Sequence, residues 1–196
     1  MHSRPAPAPL LVQVRFGMSD LLALVNTRHG PAGHWHARPR GDGPDHDHLE
    51  TPATAVAWLV DHHVPVPPGQ PGPNDLAALH RVRDAARSIA DGETAVLDTE
   101  LASLLAAAPF RLLPSATLAA EGDGWAAVAA DMLPPLLALA AERARVRRCG
   151  NPRCRFTFVD HSPARNRQWC DPRGCGNRTR VGRSRGRLRA AVTDGS

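Results

Sequence analysis

Apolar residues between positions 18 and 147 recur every three to four residues, in short runs cut by Gly and Pro, which predicts a set of short helices. Met18–His29 carries Leu21, Leu22, Leu24 and Val25, with Ser19 placed to cap it and Gly30-Pro31 to stop it. Residues 30–50, rich in Gly, Pro, His and Asp, read as a loop. Thr51-Pro52 is a strong helix start, because Thr caps orphan N–H groups and Pro fits the first helical position. That helix runs through Val56, Leu59 and Val60 to about His63, and Pro65–Pro68 breaks it. The next begins at Asn74, with Leu76, Leu79, Val82 and Ile89 on one side, Arg81, Asp84 and Arg87 on the other, and Gly92 at its end. Thr99 would cap a shorter helix, Glu100–Ala108. Phe110–Leu113 and Ala116–Ala119 are assigned to a small β-hairpin. After Gly122-Asp123-Gly124 a helical stretch reaches Arg147, kinked or split at Pro134-Pro135.

Composition supports a mainly α fold of one or two domains in 196 residues. Aromatics make up 4% and Tyr is absent, so the core must come from Leu, Val and Ala, and packing of that kind favours helices. Trp58 and Trp125 are expected as core anchors. The longest apolar stretch, Trp125–Ala141, contains Asp131 and two prolines and falls short of the ~20 residues a membrane span needs. The run Ala8–Val12 is too short for a secretory signal. These features point to a soluble, cytoplasmic protein. Residues 1–9, rich in Pro and Ala, are expected to be disordered.

Charge divides the chain. Every one of the 24 basic residues is Arg. Residues 1–140 hold 9 Arg against 15 acids, whereas residues 141–196 hold 15 Arg against 4 acids. An acidic part is therefore joined to a strongly basic one, whose natural partner is a polyanion.

The four cysteines all lie in the basic part, as Cys149-x4-Cys154 and Cys170-x4-Cys175. Each pair encloses a Pro and a Gly, which supply the turn geometry that points two sulfurs at one ion. Four thiolates make a closed tetrahedral set suited to one structural Zn2+, with no open position for catalysis. A segment so poor in large apolar side chains needs that ion, whose binding contributes ~10–16 kcal/mol in small modules. Phe156–Val159 alternates as a strand would, Asp160–Asn166 forms a connecting loop, and Trp169 is expected beside the metal. The expected order is turn, hairpin, turn and helix.

Around these cysteines the residues Cys175-Gly176-Asn177-Arg178, Arg167-Gln168-Trp169-Cys170 and Phe158-Val159-Asp160 resemble the CGNR zinc-finger family. Ala23-Leu24-Val25-Asn26-Thr27-Arg28-His29-Gly30 and the Thr51-Pro52 helix start resemble the ABATE domain that accompanies this finger. Together the two resemblances span about residues 18–190. The family is regarded as a set of stress-induced bacterial transcription regulators, so the resemblance implies DNA binding by the finger. In the family Ser or Thr follows the Asp, where this chain has His161.

These readings give a helical ABATE-like domain over 10–142, joined by a continuous helix to a CGNR-type finger over 145–190. The helix expected after Cys175 carries Arg178, Arg180, Arg183, Arg185, Arg187 and Arg189 as candidate nucleic-acid contacts, flanking a thin seam of Val181, Ser184 and Leu188 that would lie on the hairpin. The expected function is DNA-binding transcription regulation. The rival is an RNA- or protein-interaction module built on the same finger. The helical domain would serve homodimerisation, partner contacts or the sensing of a small-molecule effector. His29, His34, His36, His46 and His48 lie among Asp42, Asp45 and Asp47, a set read as a solvated loop rather than a second metal site. His62-His63 would complement a helix dipole. Asn26-Thr27 fits either a small-molecule pocket or local packing. No nucleophile–base pair or phosphate loop appears, so no catalytic residue is assigned and no enzyme is expected. A zinc-stapled nuclease would need more histidines than His161, with none following Cys175.

Overall fold

A computed structural model of the chain describes residues 16–30, 46–93, 102, 106, 109–112, 118–122 and 124–193. Helix α1 (Met18–Val25) is followed by the short strands β1 (Arg28–His29) and β2 (His46–Asp47), then α2 (Pro52–Asp61) and α3 (Pro73–Asp91). A hairpin, β3 (Phe110–Leu112) and β4 (Leu118–Ala120), precedes α4 (Trp125–Asp131) and α5 (Leu133–Ala141). A 3-10 turn, Arg143–Arg145, leads to β5 (Val146–Arg148) and β6 (Thr157–Val159). A π-turn at Pro172–Gly176 then opens α6 (Asn177–Thr193).

The fold is mainly helical. Helix α3 is its axis, lying against α1, α4 and α5, and Leu21, Leu24, Leu59, Leu79, Val82, Met132, Leu136 and Leu139 fill the space between, all buried. Trp58 and Trp125 are buried as expected, and the Trp58 indole N–H donates to the Ala23 carbonyl at 2.8 Å. Local chemistry sets the ends. Thr51 Oγ1 accepts the Thr54 N–H at 3.2 Å with Pro52 in the first turn. Asp75 accepts the Gly72 N–H at 2.9 Å at the head of α3, and Gly92, at φ +80, ends that helix in the left-handed region.

Several expectations are corrected. The first helix is capped at Gly17, whose N–H donates to Asp20, rather than at Ser19. It stops at Val25 instead of His29, because Arg28 and His29 pair with Asp47 and His46. The helical stretch after Gly124 breaks at Met132, just before the prolines, which then occupy the first turn of α5. That stretch ends at Ala141 rather than Arg147, so no continuous helix joins the finger. Val146 instead enters a strand, where pairing with β6 buries it. The hairpin at β3–β4 is present, with Phe110 opposite Ala120; Asp131, buried, accepts the Ala120 N–H at 2.6 Å and fastens it to α4. Of the expected helix Glu100–Ala108 only Ala102 and Ala106, both helical, are described. The lead at 1–9 lies outside the described residues.

Two loop residues expected in water are drawn into a ring stack. His29 is 1% exposed, its Nδ1 donates to the Gly30 carbonyl at 2.8 Å, and its Nε2 faces His48 Nε2 at 3.3 Å. His48 stacks on Trp58 at 4.3 Å, and Trp58 on His62 at 3.9 Å. The His62 Nδ1 donates to the Trp58 carbonyl. Asp47 closes a second network, since Arg83, 2% exposed, donates to Asp47 Oδ1 at 2.6 Å and shares His80 Nδ1 and Asp84 Oδ1. Burial pushes the Asp47 carboxyl up, but the Arg83 hydrogen bond and the Leu49 N–H outweigh it and hold it below the ordinary value. His34, His36, Asp42 and Asp45 lie outside the described residues.

Candidate metal centre and basic face

The first cysteine pair sits at the tip of the β5–β6 hairpin. Arg147 lies opposite Phe158 and Arg148 opposite Thr157, and the Cys149 N–H donates to the Phe156 carbonyl at 2.8 Å. The expected hairpin between the two cysteine pairs is thus corrected. Strand β6 pairs backwards with β5, and residues 160–169 return as a loop, because Val146 and Val159 both face the apolar core. In the tip, the Asn151 carbonyl accepts the Cys154 N–H at 2.9 Å and Asn151 Oδ1 accepts the Arg153 N–H at 3.1 Å.

Asp160 shapes the return loop. Its carboxylate accepts the Ser162 N–H at 2.9 Å and the Arg167 N–H at 2.8 Å. The Ser162 hydroxyl beside it, short of a well-formed hydrogen bond, and these N–H groups hold the carboxyl down to about 2. Arg167 lies over the Phe158 ring at 5.3 Å and donates to the carbonyls of Trp169 and Cys170. The Asp171 carboxylate caps the π-turn through the N–H groups of Arg173 (2.8 Å) and Gly174 (3.0 Å). Gly150 N–H to the Gln168 carbonyl, 2.7 Å, joins the two cysteine turns.

Cys149, Cys154, Cys170 and Cys175 therefore converge. Their sulfurs all lie within 4.8 Å of one another, with Cys154–Cys170 at 3.7 Å and Cys170–Cys175 at 3.8 Å. A tetrahedron with Zn–S bonds of about 2.3 Å has edges of about 3.8 Å. The thiols are free, and their spacing is that of ligands around one ion. Hydrogen bonding from Cys154, then Cys170 and Cys175, pushes the Cys149 thiol down, while Cys154 and Cys170 are pushed up, the bond to Cys149 foremost. Four such groups cannot ionise together unaided; a divalent cation takes all four as thiolates. Among the described residues this is the one set of three or more ligating side chains that could hold a metal. Phe156 and Trp169 cover it, and Trp169 lies so near Gly176 that a Cβ there would meet the indole at 3.3 Å. The site is that of one structural zinc.

Sequence reasoning missed how tightly the finger is bound to the helical domain. The Asn26 carboxamide takes both backbone groups of Thr157. The Gly30 N–H donates to the Cys154 carbonyl at 2.9 Å, and a Cβ at Gly30 would stand 2.3 Å from the Arg153 carbonyl oxygen. The His29 ring meets Phe156 edge-on at 5.3 Å. Asn26 therefore serves packing, the second of its two sequence readings. Arg148 donates to Asp91 at the end of α3 at 2.5 Å.

The arginines of α6 are spread along a helix that leans on little. The helix meets the π-turn, with Thr179 Oγ1 donating to the Cys175 carbonyl at 2.8 Å. Arg178 is half-buried, whereas Arg180, Arg183 and Arg185 are exposed; the Arg187 and Arg189 side chains lie outside the described residues. The expected packing of the seam on the hairpin is corrected at Val181 and Ser184, while the Leu188 side chain lies outside the described residues. Val181 is 41% exposed and Ser184 is exposed, since one Val and one Ser offer too little apolar surface to hold a helix down.

Two family models match the chain. Residues 21–146 match ABATE, described as "Putative stress-induced transcription regulator", and residues 145–188 match the CGNR zinc finger. No curated protein matches it. Among the described residues no helix is long and apolar enough to cross a membrane.

Proposed function

We propose that this chain, which belongs to the ABATE family and carries a CGNR zinc finger, is a non-catalytic, DNA-binding transcription regulator. The observation that carries this reading is α6, a 17-residue helix rooted in the zinc turn, with Arg180, Arg183 and Arg185 exposed and, among its described side chains, even Val181 left 41% exposed. A helix with so few apolar residues scattered among its charges gains little from tertiary packing, and Gly182 and Gly186 weaken it by ~1 kcal/mol each relative to Ala. A duplex phosphate backbone supplies the missing stabilisation by neutralising the guanidinium groups. The closed four-cysteine centre supports the same reading, because zinc held by four thiolates builds structure and leaves no open position for a substrate.

The helical domain, fastened to the finger through Asn26 and Gly30, is the part on which a signal or a second copy of the chain would act. The test is fluorescence anisotropy of the full-length, zinc-loaded protein with random-sequence duplex DNA over a salt series. Neutralising four phosphates gives a log–log slope of about −3.6. Absence of binding near physiological salt overturns the reading, and preferential displacement of the duplex by single-stranded RNA moves it to RNA.

A further inference from the structure

Beside the zinc centre lies an open hollow of about 360 Å³ on which four arginines converge. Arg147 and Arg148 reach it from β5, Arg167 from the loop before Cys170, and Arg183 from α6, with Trp169 also in its lining. None of its lining residues is acidic. Arg147 places an Nη1 donor on the Val146 carbonyl, and Arg167 places its Nε and one Nη2 donor on the carbonyls of Trp169 and Cys170. Those bonds fix the two side chains without cancelling their charge. Arg183 is exposed and forms no ion pair among the described residues. Among the described residues only Arg148 forms an ion pair, with Asp91 on the helical domain at 2.5 Å; Arg147 acts on the Asp160 carboxylate through space without forming an ion pair with it. With Asp91 on one arginine and Asp160 acting on another only through space, the four guanidinium groups keep an excess of positive charge, which an anion placed among them relieves.

We propose that this hollow is the principal phosphate seat for duplex DNA, and that Asp91 competes with the phosphate for Arg148. The proposal rests on the DNA-binding reading and deepens it, moving the main backbone contact from the free length of α6 to the junction of β5, the Cys170 loop and Arg183. Two of the four arginines are held in place by backbone carbonyls, so part of the ordering cost of gripping a phosphate is met before DNA arrives. Asp91 is the last residue of α3, where a negative charge opposes the helix dipole. Its service there is to Arg148. When a phosphate takes that guanidinium, the direct ion pair between the helical domain and the finger is released.

The experiment is the same anisotropy series on zinc-loaded full-length protein carrying Arg183→Gln, Arg148→Gln or Asp91→Asn, with Arg173→Gln as control. Arg173 is exposed on the π-turn and does not line the hollow. Arg183→Gln and Arg148→Gln should each weaken binding about fivefold at 0.15 M salt and flatten the slope by about 0.9, the loss of one phosphate. Asp91→Asn should strengthen binding about two- to fivefold, the range for a half-exposed ion pair removed as a competitor. If the wild type binds while both hollow variants match Arg173→Gln, the seat is overturned and DNA binding stands. If Asp91→Asn binds no better than the wild type, the competition is overturned. If the wild type binds no duplex, the DNA reading falls and the seat with it. Equal zinc content and helical circular dichroism in all variants excludes misfolding as the cause of a loss.

Discussion

Asn26 and Thr157, 131 positions apart, are joined as neighbouring strands would be: the Thr157 N–H donates to Asn26 Oδ1 at 2.8 Å, and Asn26 Nδ2 donates to the Thr157 carbonyl at 3.0 Å. A side-chain amide stands in for a missing strand and satisfies both backbone groups of a buried residue. The finger's β6 is in turn completed by the helical domain.

Replacing Asn26 with Ala leaves that buried N–H and carbonyl without partners. At ~1–3 kcal/mol for each unsatisfied group, Asn26→Ala should cost about 2–6 kcal/mol of stability. Urea denaturation followed by circular dichroism measures it, and a loss below about 1 kcal/mol would mean that water replaces both bonds.

Cys170→Ala should remove one of four zinc ligands and release most of the metal from the purified protein. The consequences should stop short of the hairpin, whose Val146 and Val159 belong to the main apolar core. Hydrogen exchange should become fast over residues 160–180 and stay slow at β5, β6 and α3. Unchanged zinc content by mass spectrometry would contradict the ligand assignment.

Arg167 orients the Cys170 turn from behind, through two carbonyls and the face of Phe158. A lysine keeps the charge and loses the fork, so Arg167→Lys should lower zinc affinity by about 10- to 100-fold, as losses of such supporting contacts do. Competition with a calibrated chelator reads this directly, and an unchanged affinity would leave Arg167 with only its place beside the basic hollow.

Asp160 ties part of the finger's stability to pH. Its carboxyl titrates at about 2 in the folded chain, below the ordinary 3.8. It therefore contributes stability above pH ~4 that is lost as pH falls toward 2. Melting curves of zinc-loaded wild type and Asp160→Asn should differ near neutral pH, where the carboxylate is charged and the thiolates keep the metal, and equal curves there would mean that the charge on Asp160 contributes nothing. Asp131 acts in the opposite sense: burial raises its carboxyl, so its charged form costs stability as pH rises through the raised value.

The metal centre was legible because ligand chemistry is written in residue type and spacing: two C-x4-C pairs sufficed to name all four sulfurs. Helices α2 and α3 were legible for a similar reason, since Thr51, Pro52 and Gly92 act locally. What escaped were long-range pairings. Val146 looks like one more turn of helix until Val159 is placed beside it, and His29 looks solvated until Trp58 and His48 enclose it. Arg83 left a faint signal, because it falls among Leu79, Val82 and Ala86 on the apolar side of α3, where a cation implies a buried partner. Gly30 left none, as its need for a bare backbone comes from the Arg153 carbonyl over 120 positions away.

The rooting of α6 has a mechanical consequence. At ~1.5 Å per residue its 17 residues extend about 25 Å from the π-turn, and with its base clamped by Thr179 and by Trp169 against Gly176, it behaves as a lever whose pivot is the metal. A rotation of ~10° at that pivot sweeps the far end through about 4 Å, comparable with the ~5.4 Å pitch of the helix itself. Small adjustments where the helical domain grips the finger are thereby magnified into different placements of the far end of α6.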